Sequence, residues 1–193
     1  MEPIRAFIAI ELPGQIKAAL SKLQDNLRRS KSASVKWVNP ESIHLTLKFL
    51  GNVDEAEIPA LNKALSEAVK GVATFYLELG EPGAFPNCQV PSVVWVGMGG
   101  EIDQLLTLHN NIDRVLAPLG FPPEKRAFSP HLTLGRVRDE TLPGERKGLG
   151  ENVAALKTGA KPSFKVESVS LMRSKLTREG AIYSCIASFA LSG

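Results

Sequence analysis

The tetrapeptide His-Leu-Thr-Leu occurs twice in this 193-residue chain, at residues 44–47 and 131–134. The chain has three histidines, and two of them, His44 and His131, open these repeats. Side chains alternate along a β-strand, so each copy would place its histidine and its threonine on one face. Unperturbed imidazole titrates near pH ~6.5, so at neutral pH one imidazole can accept a proton while the other donates one. We therefore expect His44 and His131 to form an acid–base pair in one site.

The threonines of the repeats, Thr46 and Thr133, extend this chemistry. Hydrolysis of a phosphodiester needs one group that takes a proton from water and another that gives a proton to the leaving oxygen. Threonine hydroxyls can donate hydrogen bonds to the non-bridging phosphate oxygens, where charge accumulates in the transition state. Two histidines and two threonines that converge on one point therefore indicate phosphoester cleavage.

Two basic residues follow the repeats. Strict alternation places Lys48 on the face of His44, where its ammonium would bind phosphate or serve as a charge at the edge of the strand. The same alternation sends Leu45, Leu47 and Phe49 into the core.

Arg136 breaks the alternation, because period two would bury it with Leu132 and Leu134. An unpaired guanidinium is unfavourable in an apolar core. Glycine tolerates unusual backbone geometry, so a bulge at Gly135 would turn Arg136 to the face of His131, where it could bind two phosphate oxygens.

A metal site is the main alternative for a pair of histidines. Zinc usually takes three or four ligands, often with a carboxylate or a thiolate among them. Neither motif strand carries an Asp, Glu or Cys on its histidine face, which disfavours a metal. The third histidine, His109, lies on the apolar face of a predicted helix and is expected to be structural.

The elements around the motifs follow from hydrophobic periodicity and turn residues. Strands are predicted at 5–11, 35–38, 43–50, 75–80, 93–96, 128–137, 164–173 and 181–189. Helices are predicted at 14–30, from 54 to about 69, and at 101–119, with a shorter one at 152–158. Residues 138–150 are expected to form a mobile loop and residues 177–180 a hairpin turn. This order predicts an α+β fold with two antiparallel sheet lobes that face each other and helices on the outside.

Composition narrows the class of protein. The net charge is +3, and 44% of the residues are hydrophobic, which is ordinary for a globular protein. No apolar stretch approaches the roughly 20 residues that span a bilayer, and the first residues lack the pattern of a signal peptide. We therefore expect a cytoplasmic protein with reduced cysteines and no membrane association. The basic residues at 28, 29, 31 and 36 are expected to be solvated, and any of Trp37, Phe85, Trp95 and Phe128 could stack on a base.

The paired motifs resemble the signature of the two-histidine (2H) phosphoesterase superfamily. Their context is similar to that of the bacterial and archaeal RNA 2′,3′-cyclic phosphodiesterases, which are also called 2′-5′ RNA ligases. The similar segments lie at residues 5–10, 37–38, 41–51, 128–136 and 174–183, so the resemblance spans nearly the whole chain.

This resemblance implies a single domain over residues 1–193, with two pseudo-symmetric lobes around a central groove and one motif in each. It implies that the chain hydrolyses RNA 2′,3′-cyclic phosphate ends to 2′-phosphates without metal or other cofactor. ATP-independent 2′-5′ ligation would be the reverse reaction.

The residue roles carry over from the resemblance. His44 would protonate the departing 3′-oxygen and His131 would activate water. Thr46 and Thr133 would donate to the phosphate, and Arg136 would clamp the anion. The expected partner is RNA with a 2′,3′-cyclic phosphate terminus, bound by a monomer.

Two other functions fit the residues. One is a protein that binds RNA ends or phosphate without turning them over. The other is a cyclic phosphodiesterase for a small nucleotide or sugar.

Overall fold

The computed structural model describes residues 3–29, 33–157, 159, 161–177 and 181–193. Within these residues the chain forms nine strands and four α-helices. The strands are β1 (Ile4–Glu11), β2 (Val35–Trp37), β3 (His44–Val53), β4 (Phe75–Phe85), β5 (Val93–Gly100), β6 (His131–Val137), β7 (Ser163–Val166), β8 (Ser168–Leu176) and β9 (Ala181–Ala190). The helices are α1 (Gly14–Arg29), α2 (Ile58–Ala68), α3 (Ile102–Leu116) and α4 (Pro143–Ala155).

The strands form two antiparallel sheets. The four-stranded sheet has the order β3-β1-β8-β9, and the five-stranded sheet has the order β2-β6-β5-β4-β7. The chain first alternates between the sheets, with β1 and β3 in the four-stranded sheet and β2 in the five-stranded one. It then forms β4 to β7 in the five-stranded sheet and returns to the four-stranded sheet with β8 and β9. The two motif strands, β3 and β6, belong to different sheets and lie close to each other.

The helices pack against the sheets because each has an apolar face. Buried residues recur at helical spacing in α1, at Ile16, Leu20 and Leu27, and in α2, at Leu61 and Leu65. One hydrophobic core takes residues from both sheets and from all four helices. No helix among the described residues is long and apolar enough to cross a membrane. The predicted α+β fold with two antiparallel sheets is confirmed.

The prediction of a mobile loop at residues 138–150 is wrong, because α4 occupies most of this segment. Pro143 stands in the first turn, where its fixed φ suits a helix, and the Glu145 carboxylate accepts from the Leu142 backbone N–H at 3.0 Å. Leu149 and Val153, four residues apart, are buried in the core. These two apolar residues were too few to stand out from the charged residues around them.

The single strand predicted at 164–173 is two strands in two sheets. β7 pairs with β4 in the five-stranded sheet, and β8 pairs with β1 in the four-stranded sheet. The change of sheet occurs at Glu167, whose carbonyl accepts from the Leu191 N–H at 2.8 Å. Parts of three predicted elements, at residues 30, 158 and 178–180, lie outside the described residues.

Candidate active site

Both motif strands contain the same bulge. In β3, Thr46 lies opposite Ala9 and Lys48 lies opposite Ile8, so Leu47 has no partner of its own. In β6, Thr133 lies opposite Trp95 and Gly135 lies opposite Val94, so Leu134 is the extra residue. In each half, therefore, the residue after the tetrapeptide joins the buried face, and the next residue returns to the face of the histidine.

This bulge buries Lys48, whose side chain is only 3% exposed. Its ammonium donates to the Asp113 carboxylate at 2.6 Å and to the Pro122 carbonyl at 2.8 Å. The prediction that Lys48 shares the face of His44 is wrong. The extra residue changes the phase of the alternation, and Asp113 of α3 holds the ammonium that was expected to meet a phosphate.

The same bulge exposes Phe49, which was expected in the core with Leu45 and Leu47. Phe49 is 65% exposed, whereas both leucines are buried. It lies on the side of β3 that carries His44 and Thr46.

In β6 the bulge puts Arg136 on the exposed side, as predicted from Gly135. The burial pattern of β6 alternates through His131, Leu132 and Thr133, then has two buried residues, and then exposes Arg136. The predicted bulge is present, with Leu134 rather than Gly135 as its extra residue, and Arg136 lies on the face of His131 rather than with the leucines.

The reason for glycine at this bulge is space rather than backbone angle, since its φ is not positive. A Cβ on Gly135 would lie 2.7 Å from Val35 Cγ1 and 3.0 Å from Trp37 Cε3. Gln24 of α1 also supports the bulge, because its buried amide donates to the Leu134 carbonyl at 2.9 Å.

The two catalytic candidates, His44 and His131, are held in the same way. The Nδ1 atom of His44 lies 3.0 Å from the Ser42 carbonyl oxygen, and that of His131 lies 2.7 Å from the Ser129 carbonyl oxygen. A carbonyl only accepts, so Nδ1 carries the hydrogen in both rings and Nε2 is the atom left for proton transfer. Sequence reasoning missed this contact, because a backbone carbonyl is present whatever residue stands at position 42 or 129.

Aromatic rings pack around both imidazoles. The ring of Phe7 stacks on His44 with centroids 4.6 Å apart, and Tyr183 meets His44 edge-on at 4.9 Å. On the other strand, Phe85 meets His131 edge-on at 5.0 Å, and Trp95 lies 6.3 Å away. These rings restrict the rotation of the imidazoles and limit water around them.

Burial lowers the pKa of His44 below its usual 6.5, against the opposing effects of the Ser42 carbonyl and the nearby Glu11 carboxylate. Desolvation disfavours the charged imidazolium, so the neutral ring is the main form of His44 at neutral pH in the free protein.

We expect NMR to show this shift directly. The Cε1 proton of His44, assigned with a His44→Gln variant, should titrate with a midpoint below pH 6.5. The unfolded chain protonates at the ordinary value, so the folded protein should lose stability as the pH falls below 6.5. A midpoint at or above 6.5 for His44 in the free protein would contradict the effect of burial.

A cavity of about 500 Å³ opens beside His44. Its lining includes Glu11, Lys17, Asn39, Glu41, Tyr183 and Cys185. The cavity extends from β1 and the entry to β3 as far as β9, and Lys17 and Glu41 form an ion pair in it at 3.2 Å. His44 is the one candidate site residue that lines this cavity. Sequence reasoning missed the other lining residues, because they come from four separate segments.

The remaining candidates lie elsewhere. His109 stacks on Phe128 with centroids 4.1 Å apart, and its Nδ1 lies 3.9 Å from Asp113, which agrees with the structural role expected for it. Trp37 lies under the guanidinium of Arg28. Among the described residues, no group of three or more His, Cys, Asp or Glu side chains is arranged to hold a metal ion.

One further basic residue stands beside the motif. Lys36 of β2 lies directly opposite Arg136 in the register of the five-stranded sheet. Residues opposite each other in an antiparallel pair share a face, so two cations flank the end of the second motif. Sequence reasoning had assigned Lys36 to a solvated cluster.

Comparison with known proteins matches both halves of the chain to one family model. The model of LigT-like phosphoesterases matches residues 10–95 and again residues 96–183, and each match contains one of the two motifs. A protein from Methanothermobacter thermautotrophicus, named RNA 2′,3′-cyclic phosphodiesterase, is 36% identical over 97% of this chain and 99% of its own length.

Solved structures agree with this match. The apo structure of E. coli LigT covers 100% of both chains with a TM-score of 0.77 and 27% identity. The complex of E. coli LigT with 3′-AMP also covers 100% of both chains, with a TM-score of 0.75 and 25% identity.

Proposed function

Because the chain belongs to the LigT-like phosphoesterase family, we propose that it hydrolyses RNA 2′,3′-cyclic phosphate ends to 2′-phosphates. The observation that carries this proposal is the matched pair of imidazoles, each with Nδ1 bound to a backbone carbonyl and Nε2 left for chemistry. The names of the curated relatives support the substrate, and the 3′-AMP complex of E. coli LigT supports nucleotide binding.

The reaction needs two proton transfers on opposite sides of the phosphorus. One imidazole takes a proton from water while the water oxygen bonds to phosphorus. The other imidazole gives a proton to the 3′-oxygen as the P–O3′ bond breaks, which leaves the phosphate on the 2′-oxygen. His44 and His131 stand on strands of two different sheets, which suits groups that act from opposite sides.

The phosphate itself would be held by Thr46, Thr133 and Arg136. The hydroxyls and the guanidinium lie on the histidine faces of their strands, where they can donate to the non-bridging oxygens as charge builds on them. No step assigned to these residues needs a metal or another cofactor.

We propose that His44 is the proton donor and His131 the base. Burial makes His44 neutral in the free protein, so this assignment requires that the substrate raise its pKa. An anionic phosphate beside an imidazole favours the protonated form and has this effect. A 5′-hydroxyl in the place of the attacking water would give 2′-5′ ligation, with the cyclic phosphate as the activated group instead of ATP.

The decisive experiment is incubation with an oligoribonucleotide that ends in a 2′,3′-cyclic phosphate, followed by identification of the phosphate position by ³¹P NMR. A 2′-phosphate product supports the proposal. Tight binding with an intact cyclic phosphate would favour a binding protein. Faster turnover of a cyclic mononucleotide than of oligonucleotides would favour a small-molecule enzyme.

Removal of metal ions is expected to leave the rate nearly unchanged. The proposed chemistry uses imidazoles, hydroxyls and a guanidinium, and none of these needs a bound cation. The rate of cyclic-phosphate hydrolysis is measured before and after dialysis against EDTA. A rate that EDTA abolishes and added zinc or manganese restores would exclude the acid–base mechanism.

Arg136→Ala is expected to lower kcat/KM by about 10- to 100-fold, since a hydrogen bond to a charged group contributes roughly 1.5–3 kcal/mol. Arg136→Lys keeps the charge but loses the bidentate geometry, so we expect an intermediate loss. Arg138→Ala is the matched control, because it removes the same charge two residues further on, from a side chain that is 54% exposed. Equal effects of Arg136→Ala and Arg138→Ala would reduce the role of Arg136 to net charge.

A further inference from the structure

In β3 a phenylalanine is exposed and a lysine is buried, which is the reverse of where these two residue types usually lie. The bulge at Leu47 turns a lysine into the core and a phenylalanine to the surface. A regular strand would have done the opposite, with no buried ammonium to neutralise. The fold keeps this arrangement through the ion pair of Lys48 with Asp113, so the exposed ring requires an explanation.

The pairing of β1 with β3 fixes where the Phe49 ring lies. After the bulge at Leu47 the register runs from Ile8 opposite Lys48 to Phe7 opposite Phe49, and it shifts again only beyond this pair, before Ala6. Their ring centroids are 6.2 Å apart with a tilt of 47°. Phe7 also stacks on His44. The exposed ring therefore continues the aromatic layer that begins under the catalytic imidazole.

The internal repeat shows what stands in this place in the other half. Phe49 follows Thr46 by three residues and Arg136 follows Thr133 by three, each just past its bulge. The two halves of the site thus present the same histidine and threonine but differ at this position. One half offers a guanidinium and the other an open aromatic face.

We propose that Phe49 is a substrate-binding residue whose ring stacks on the base of the nucleoside that bears the cyclic phosphate. This inference rests on the proposed function. A nucleotide joins an anionic phosphate to a flat base. The two halves of the site match these two parts, because one half offers the Arg136 guanidinium and the other the Phe49 ring. Phe7 touches both His44 and Phe49, so the ring is one aromatic layer from the reacting phosphate, within reach of the base on the same ribose. Stacking tolerates any base, because every base has a π-face.

Phe49→Ala is expected to raise KM about tenfold on a short oligoribonucleotide with a 2′,3′-cyclic phosphate, which is the size of one lost base–aromatic stack. The kcat should stay within about twofold, since the ring touches no reacting atom. Phe49→Trp should keep a low KM and Phe49→Leu should fall between. Leu142→Ala is the matched control, because Leu142 is also 65% exposed but lies at the start of α4.

A modified substrate provides a second control. This substrate carries a 1-deoxyribose in place of the terminal nucleoside, so it keeps the cyclic phosphate but lacks the base. On it, the wild type and Phe49→Ala should have the same KM. An unchanged KM on the complete RNA would overturn the proposal. The proposal would also fail if Phe49→Ala raised KM equally on the substrate without the terminal base. It would fail as well if the rise in KM disappeared only on removal of the penultimate base.

Binding separates this inference from the proposed function. The dissociation constant of an oligonucleotide with a terminal 2′-phosphate can be followed by tryptophan fluorescence, since Trp95 lies beside His131. If the wild type turns over no cyclic phosphate, the proposed function fails. Weaker binding of this oligonucleotide by Phe49→Ala, abolished when the terminal base is absent, would still support the stacking role. Equal binding by wild type and variant would refute it.

Discussion

Replacing either His44 or His131 with alanine is expected to lower kcat by roughly 10²–10⁴-fold, the usual contribution of a positioned proton donor or acceptor. Each imidazole is held by its own backbone carbonyl and its own aromatic neighbours, so loss of one leaves the other in place but without its partner in proton transfer. The double variant should be little worse than either single one, because the pair acts as a unit. Single-turnover rates on a cyclic-phosphate oligonucleotide measure these effects.

His109→Gln is the control for this prediction. His109 stacks on Phe128 and lies near Asp113, so glutamine should cost some stability and leave kcat close to that of the wild type. The wild-type rate should follow a bell-shaped pH curve whose limbs belong to the pair. An inactive His109→Gln variant that remains folded, beside active variants at His44 and His131, would place the site elsewhere.

Lys48→Met is expected to destabilise the protein by about 3–5 kcal/mol, the usual effect of removing one partner from a buried ion pair. Methionine has a similar length and no charge, so the loss comes mainly from the Asp113 carboxylate that remains buried without its cation. The double variant Lys48→Met, Asp113→Leu should recover most of the stability, because neither charge is then left in the core. Urea unfolding followed by circular dichroism gives the free energies.

Lys70→Met tests whether burial is the reason. Lys70 and Glu67 form an ion pair at the same 2.6 Å, but both side chains are more than half exposed. Solvent screens such a pair, so the urea midpoint of Lys70→Met should lie close to that of the wild type. A similar fall in stability for the Lys48 and Lys70 variants, or no recovery in the double variant, would refute the argument from burial.

The two bulges show how far the sequence could lead. A guanidinium that would otherwise be buried, next to a glycine, was enough to predict the bulge in β6. The same repeat in β3 offered no glycine, and Lys48 fitted comfortably on the face of His44 under strict alternation. Its partner Asp113 lies on α3, 65 residues away in the chain. Nothing within the motif indicates that the core contains a carboxylate able to pair with Lys48.

The parts of the site also differ in whether their residues lie close together in the sequence or only in the fold. The proposed roles of His44, Thr46, His131 and Thr133 follow from the sequence, because the residues of each motif lie within four positions of the chain. The aromatic surroundings of the histidines could not be predicted, since Phe7, Tyr183, Phe85 and Trp95 reach them through strand pairing across the sheets. The helix α4 was missed for a related reason, because only its contact with the core shows which of its few apolar residues matter.

The carbonyl groups that orient the two imidazoles belong to the main chain, and this has a consequence for the evolvability of the site. A carboxylate that fixes a histidine can be lost through one codon change, whereas no side-chain replacement at residues 42 or 129 removes the acceptor. Substitutions at these two positions should therefore leave the protonation geometry of the two histidines nearly unchanged. Selection would act instead on the path of the chain into each strand, which here runs through Pro40 and Pro130.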